Sequence, residues 1–359
     1  MKLLDKFIIK KLLITFLVTI SLFTLIIIIF DVAEKLDDFM ENDAPVKSIL
    51  GIYYANFIPT IINTFSPIFI FISTIYFTSR LASRSEFISF LAGGMSLKRI
   101  LKPYMIAGAI VALFSYLLNA WIIPAGDKKR VQFQDQYLTD YWSKARGLIF
   151  SQIRPDVVLY MEYFNNNDST GVGMYTQQYN GTELTSTLFG RFISFNRDKQ
   201  VWRLENGTQR IFKPNGDHRV NNFSTLDTNI IFNPNRFFFR NEDVQSFNQK
   251  ELDHFITNEK KRGSPIINFL ETEKHRRWAS PFSTFILMII GVSVAGRKSR
   301  GGVGWSMAVG IFVIIFFLFF SKYFISMGQT GVMEPWLAAW SLNFLFTPVA
   351  WLFYRFAQK

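Results

Sequence analysis

The chain has no cysteine among its 359 residues. Disulfides, thiolate zinc sites, iron-sulfur clusters and a cysteine nucleophile are therefore excluded. Histidine is nearly as scarce, limited to His218, His254 and His275. No second histidine follows His275 four residues on, and its charged neighbours mark it as a surface residue rather than a metal ligand. There is no G-x-x-x-x-G-K-[ST] loop and no G-x-S-x-G elbow, so the chain lacks a recognisable nucleotide-hydrolysis site and a hydrolase nucleophile. Charge is thin as well: Asp, Glu, Lys and Arg make up 18% of the chain against 49% hydrophobic and 17% aromatic residues, and mean hydropathy is +0.17. That balance argues against a purely soluble protein.

The scarcity of charge is concentrated in six uncharged runs: Leu12 to Phe30, Ser48 to Ser79, Pro103 to Gly126, Trp278 to Gly296, Gly301 to Ser321 and Pro335 to Tyr354. A helix rising about 1.5 Å per residue crosses a hydrocarbon core of about 30 Å with roughly 20 residues, so each run predicts one transmembrane span. The first is too long for the apolar region of a signal peptide and is followed by Asp31, Glu34, Asp37 and Asp38 rather than by a small-residue cleavage site. None of the six runs holds an ionisable residue, which disfavours an ion-coupled transporter. If the protein moves something, a partner supplies the energy.

Orientation follows from the basic residues that flank the runs. Lys2, Lys6, Lys10 and Lys11 precede the first; Arg80, Arg84, Lys98, Arg99 and Lys102 lie between the second and third; Arg297, Lys298 and Arg300 lie between the fourth and fifth; Arg355 and Lys359 close the chain. These fourteen bases face two acids, Asp5 and Glu86, which accounts for the whole net charge of +12. The basic excess is thus a topology signal rather than a nucleic-acid footprint, and both termini are expected in the cytoplasm.

The 151 residues from Asp127 to Arg277 have ordinary polarity and fall on the opposite side. They predict an extracytoplasmic domain with strands at Val157 to Phe164, Val172 to Tyr179, Leu184 to Phe195, Val201 to Leu204 and Gln209 to Phe212. Turns are expected at Asn165 to Asp168, Asn180-Gly181, Asn206-Gly207 and Asn215-Gly216. Short strands at this spacing suggest a sandwich or jelly roll, whose edge, if open, is a docking site for another strand. Amphipathic helices are expected at Gln249 to Lys260 and Ile266 to Trp278. The overall class is a membrane α+β protein with three spans on either side of a jelly-roll-like domain. Its domains are expected at 1–126, 127–262 and 263–359.

The segment Arg80 to Pro103 is the most informative connection. Arg84 to Leu91 suits a short helix with Phe87, Ile88 and Leu91 on one side; Gly93-Gly94 ends it, and Ser96 can cap the next helix. Such a helix either sits in the groove of a cytoplasmic protein or rests on lipid headgroups.

Three stretches resemble a known family: the run from Ser83 to Ser96 with Arg84, Glu86, Gly93 and Gly94, the run E-K-H-R-R-W-A-S-P-F from Glu273 to Phe282, and the glycine-rich stretch after Arg300. Together with the architecture they resemble the lipopolysaccharide-export permeases of the LptF/LptG type over essentially the full chain. The resemblance implies an inner-membrane permease that pairs with a paralogous or identical permease subunit and binds a cytoplasmic ATPase dimer. It also implies that the protein extracts lipopolysaccharide from the membrane into a periplasmic jelly-roll bridge protein. The chain itself would bind no cofactor, since ATP is hydrolysed by the partner. Arg84, Glu86, Phe87 and Gly93 match the ATPase-coupling helix, and Arg276, Arg277 and Pro281 match the entry to the fourth span. Family members carry basic residues at the outer end of the first span, where this sequence offers Lys35 among acids. The expected lipid path runs along the outer half of the first span and the facing part of the fifth, with Ile28, Lys35 and Phe317 as its residues. A permease for another lipid or lipoprotein, or a membrane-anchored periplasmic assembly module, is the alternative.

Overall fold

Every one of the six uncharged runs lies in a helix long and apolar enough to cross a membrane in the computed structural model. The structure describes residues 3–138, 145–154, 156–165, 168–197, 199–213, 217–228, 241–261, 264, 266–297 and 301–357. Helix α1 spans Leu3–Glu41, α2 Val46–Ser83, the short α3 Glu86–Ala92 and α4 Leu97–Tyr137. After the sheet come α5 at Gln249–Lys261, α6 at Ile267–Ala295, α7 at Gly302–Gln329 and α8 at Pro335–Phe356. The chain divides into a membrane unit of Met1–Phe133, Gln245–Leu252 and Asn268–Lys359 and a second unit of Gln134–Val244 and Asp253–Ile267.

The helices overshoot their uncharged runs, which changes two expectations. The stretch Ile266 to Trp278 is not a separate connecting helix; it forms the first turns of α6, which runs unbroken through Pro281 to Ala295. Nothing between Arg277 and Trp278 stops a helix, and a proline is tolerated where neighbouring groups satisfy the freed carbonyl. Nor are the spanning helices free of ionisable groups, because α1 carries Asp31, Glu34 and Lys35 and α6 carries Glu273, Arg276 and Arg277 toward one end. Hydroxyls within the membrane unit donate back along their own helix, as Thr74 does to the Ile70 carbonyl at 2.7 Å and Ser79 to that of Ile75 at 2.6 Å. Asn343 ties α8 to α6 by accepting from Ser283 at 2.8 Å and donating to the Ala279 carbonyl at 2.9 Å. In hydrocarbon these polar groups have no water to turn to, so internal partners are the alternative to a large desolvation cost.

The second unit holds an antiparallel sheet of β1 (Ala145–Arg154), β2 (Val157–Asn165), β3 (Thr170–Asn180), β4 (Glu183–Asn196), β5 (Val201–Phe212) and β6 (His218–Thr228). Neighbours are consecutive across the described strands, so they form a meander. The turn expected at Asn180-Gly181 falls one residue later: Asn180 pairs with Glu183 around Gly181-Thr182, with Gly181 at a φ of 63°. Asn206-Gly207 behaves differently. It lies inside β5, where Glu205 and Gly207 pair with both β4 and β6 while Asn206, at a left-handed φ of 51°, is skipped in both registers. Two partners outweigh a local turn preference here, and glycine is needed because the Phe223 ring and the Phe189 carbonyl occupy the place of a side chain at 207. The turn at Asn215-Gly216 lies outside the described residues, as does part of that at Asn165 to Asp168.

Alternation builds the sheet core: Val157, Leu159 and Met161 of β2 are buried in turn. Trp202 is fully buried, with its ring 5.4 Å from Phe164 and 4.9 Å from Phe195. Trp202→Ala should destabilise this unit by about 3–5 kcal/mol. Limited proteolysis of the detergent-solubilised full chain should then cut within 145–228 while the membrane helices stay intact, and unchanged resistance would contradict that core assignment.

Candidate functional site

The short helix α3 is fixed at both ends by local chemistry. Ser85 precedes it with a left-handed φ of 62°, which costs a residue other than glycine about 1–3 kcal/mol and marks a connection held by its surroundings. Glu86 occupies the first turn, where a carboxylate complements the helix dipole. The chain leaves at Gly93-Gly94, and the Ser96 hydroxyl caps α4 by accepting from the Arg99 N–H at 3.3 Å.

Of the residues expected to meet a partner, the structure separates one from the rest. Phe87 is 1% exposed and belongs to a core cluster with Ile8 and Leu12 of α1, Leu81 of α2, Leu97 of α4 and Val292 of α6. Its ring fills the space beside Gly296, where a Cβ would stand 2.7 Å from Phe87 Cε1. Phe87 is therefore the root of α3 and not a knob on its outer surface. Arg84 and Gly93 are exposed and Glu86 is half-buried, so this is the side of α3 that a partner can reach. Arg99 adds a second tie, donating to both carboxylate oxygens of Asp5 at 2.7 and 3.0 Å. Asp5, counted from sequence as one of two stray acids on a basic face, is 5% exposed. It clamps the start of α1 to the helix that follows α3.

At the other end of α1, Lys35 bonds the Asp31 carboxylate and the Tyr53 hydroxyl. Tyr54 donates to the second Asp31 oxygen at 3.0 Å. Consecutive tyrosines point inward together because α2 passes through a π turn at Ile49–Tyr54, which inserts an extra residue and rotates the face. The Lys35 ammonium also lies 5.0 Å from the Tyr53 ring centre and 5.6 Å from that of Phe57. Arg130 shares the Phe57 ring at 5.7 Å and bonds the buried Asp127 at 2.6 Å. The nearest cation to the expected path is thus matched by a carboxylate and held by aromatic rings.

The outer surfaces of α1 and α7 are the least covered, with 22% of each central stretch buried against 56% for α2 and for α6. Leu17, Val18, Leu22 and Leu25 of α1 line an open hollow of about 410 Å³. A second hollow, of about 600 Å³, lies between the end of α1 and the start of α2, lined by Leu36, Met40, Val46 and Leu50 among others. Ile28 is half-buried on α1. Phe317 departs from its expected place. It is 7% exposed and meets Phe346 of α8 edge-on at 5.4 Å, so the outward wall of α7 is carried by Phe312, Phe316 and Phe319. Helical spacing alone did not reveal which side of a uniformly apolar helix packs inward.

Toward the start of α6, Glu273 accepts from Arg276 at 2.7 and 2.8 Å, and Arg277 donates to the Phe247 carbonyl at 2.8 Å. Lys128 donates to Glu251 at 2.7 Å and holds its carboxyl below the usual carboxylate range. These contacts strap residues 245–252 onto the membrane unit.

Among the described residues, six helices long and apolar enough to span, an antiparallel sheet inserted after the third and a rooted short helix between the second and third define a multi-pass membrane protein of permease architecture. The family model described as lipopolysaccharide export system permease LptF/LptG matches residues 6–355, and the chain belongs to that family. It is accordingly a permease of an inner-membrane lipopolysaccharide export system. No curated protein matches the chain significantly.

Gly296→Val should drive Phe87 from its seat at a cost of about 1–3 kcal/mol. The change should lower the thermal midpoint of the purified chain and increase protease cutting at 84–96, and an unaltered cutting pattern would mean that Phe87 does not root α3.

Proposed function

We propose that this chain is the membrane subunit of an ATP-driven exporter, with α3 docking on a cytoplasmic ATPase dimer. The reading rests chiefly on the rooting of α3: Phe87 fixes it in the membrane unit while Arg84 and the first turn at Glu86 stay accessible. A helix built this way transmits a push, because displacing it must move the core around Phe87. A helix resting on headgroups needs no such root. The chain binds no nucleotide itself; ATP is hydrolysed by the partner. Both termini and α3 lie in the cytoplasm and the sheet in the periplasm, in keeping with the fourteen bases on one face.

A second permease subunit, identical or paralogous, completes the path. The open apolar faces of α1 and α7 form its wall on this chain, Ile28 on one and Phe316 on the other, with Lys35 at the outer rim. Lipopolysaccharide acyl chains pass along that wall and its phosphates meet the rim, after which the lipid moves to a periplasmic jelly-roll bridge that adds to an edge of the sheet.

Two experiments test this reading. Glu86→Arg should leave membrane insertion intact but weaken ATPase attachment by about 2–5 kcal/mol if the contact is desolvated. Retention of the ATPase on co-purification, with normal transport, would remove the docking role from Glu86. Photocrosslinkers at Ile28 and Phe316 should capture lipopolysaccharide during ATP-driven transport, whereas one at the buried Phe346 should capture little. Equal capture at all three positions would rule out the α1–α7 wall.

A further inference from the structure

An apolar groove of about 500 Å³ opens between the ends of α6, α7 and α8 on the face that carries the basic loops. Val294, Trp305, Val309, Leu352, Phe353 and Phe356 line it together with the exposed Arg297. Its α7 residues, Trp305 and Val309, precede Phe312 and Phe316 of the proposed lipid wall on the same helix by one to three turns. Trp305 and Phe356 are exposed large side chains, so the described residues leave the groove open.

Charge identifies what fills it. The basic face has fourteen Lys and Arg against Asp5 and Glu86. Asp5 is already held by both nitrogens of the Arg99 fork. Among the described residues no carboxylate pairs with Arg297, whose exposed guanidinium is therefore open to an anion from outside them. A guanidinium at the end of a spanning helix lies at headgroup depth, where phosphates are the abundant anions. The apolar lining beneath it takes an acyl chain and offers nothing to a free ion.

We propose that this groove binds an anionic phospholipid, with one acyl chain between α6, α7 and α8 and the headgroup phosphate on Arg297. The ligand then lies against the same last turn of α6 whose other side seats Phe87: Ser293, Val294 and Arg297 face the groove, whereas Val292 and Gly296 face α3.

Trp305 makes the site observable. The full chain is placed in zwitterionic nanodiscs with a small, equal mole fraction of dibrominated phosphatidylglycerol or dibrominated phosphatidylcholine, and quenching is read as the difference between wild type and Trp305→Phe. The anionic lipid should quench the Trp305 component with about fivefold higher apparent affinity. Arg297→Gln should abolish that preference and Arg297→Lys should keep most of it. Val309→Phe, which fills the groove and leaves the arginine in place, should lower quenching by both lipids. Added inorganic phosphate should change nothing. Equal quenching by the two lipids would mean ordinary contact with bulk lipid, and absence of quenching by either would mean that a second copy of the chain or other protein covers the groove. Loss of the preference on adding phosphate would mean an anion site without a lipid. Each of these three results overturns the proposal.

Discussion

In hydrocarbon a backbone N–H or C=O finds no water, so every polar group that enters the bilayer must be paired by the protein itself. That constraint arranges the rest of this structure. Ser66, Thr74 and Ser79 return their hydroxyls to their own helix, and the buried Asn343 spends its amide on Ser283 and the Ala279 carbonyl. Charged groups withdraw to the helix ends, and there they pair: Asp5 with Arg99, Asp31 with Lys35, Asp127 with Arg130, Glu273 with Arg276. With the interior occupied by such locks, the surfaces left for work are the ends of the helices and the apolar faces that no neighbour covers.

The two kinds of surface divide the labour. On α1 and α7 the uncovered faces are continuous and apolar, which suits a lipid tail but holds no headgroup. At the helix ends the reverse applies, since aromatic rings and ion pairs crowd together around Lys35 and Arg130. A buried pair of this type contributes little net stability, because desolvation offsets most of the Coulomb gain. Its effect is to set geometry: the Asp31, Tyr53 and Tyr54 contacts join the end of α1 to the π turn of α2. Its charges are matched within the chain, so in the proposed path a phosphate would meet Lys35 only by exchanging with Asp31.

Much of this was legible in the sequence because the bilayer imposes a coarse rule. A run of about twenty uncharged residues has one stable conformation in lipid, so the six spans followed from counting, and the short helix expected at Arg84 to Leu91 and found at Glu86–Ala92 followed from its apolar spacing and glycine stop. The sheet was readable where a strand alternates, as in β2, and where a turn stands free, as at Gly181-Thr182. It was misread at Asn206-Gly207, where pairing on both sides overrides a local preference. What remained hidden depends on contacts distant in sequence. Phe317 and Phe316 are adjacent and chemically identical, yet only the first finds Phe346. Asp5 looked incidental until Arg99, 94 residues away, was brought beside it.

Phe87 illustrates how the hidden contacts bear on the proposed coupling. From sequence it belonged with the residues a partner would touch, because a short helix with one apolar side invites an external groove. The structure turns that side inward onto Gly296 and leaves the polar side outward. A docking helix held only by its flanking loops would yield when pushed, and little of a partner's motion would reach the membrane. Rooted by a fully buried ring in a cluster drawn from α1, α2, α4 and α6, it cannot shift without displacing residues on four helices. One of those helices is α1, which with α7 is the least covered of the long apolar helices. In the proposed coupling, the path from α3 to the open face of α1 runs through close-packed side chains, and its stiffness comes from the absence of any space beside Gly296 into which Phe87 can retreat.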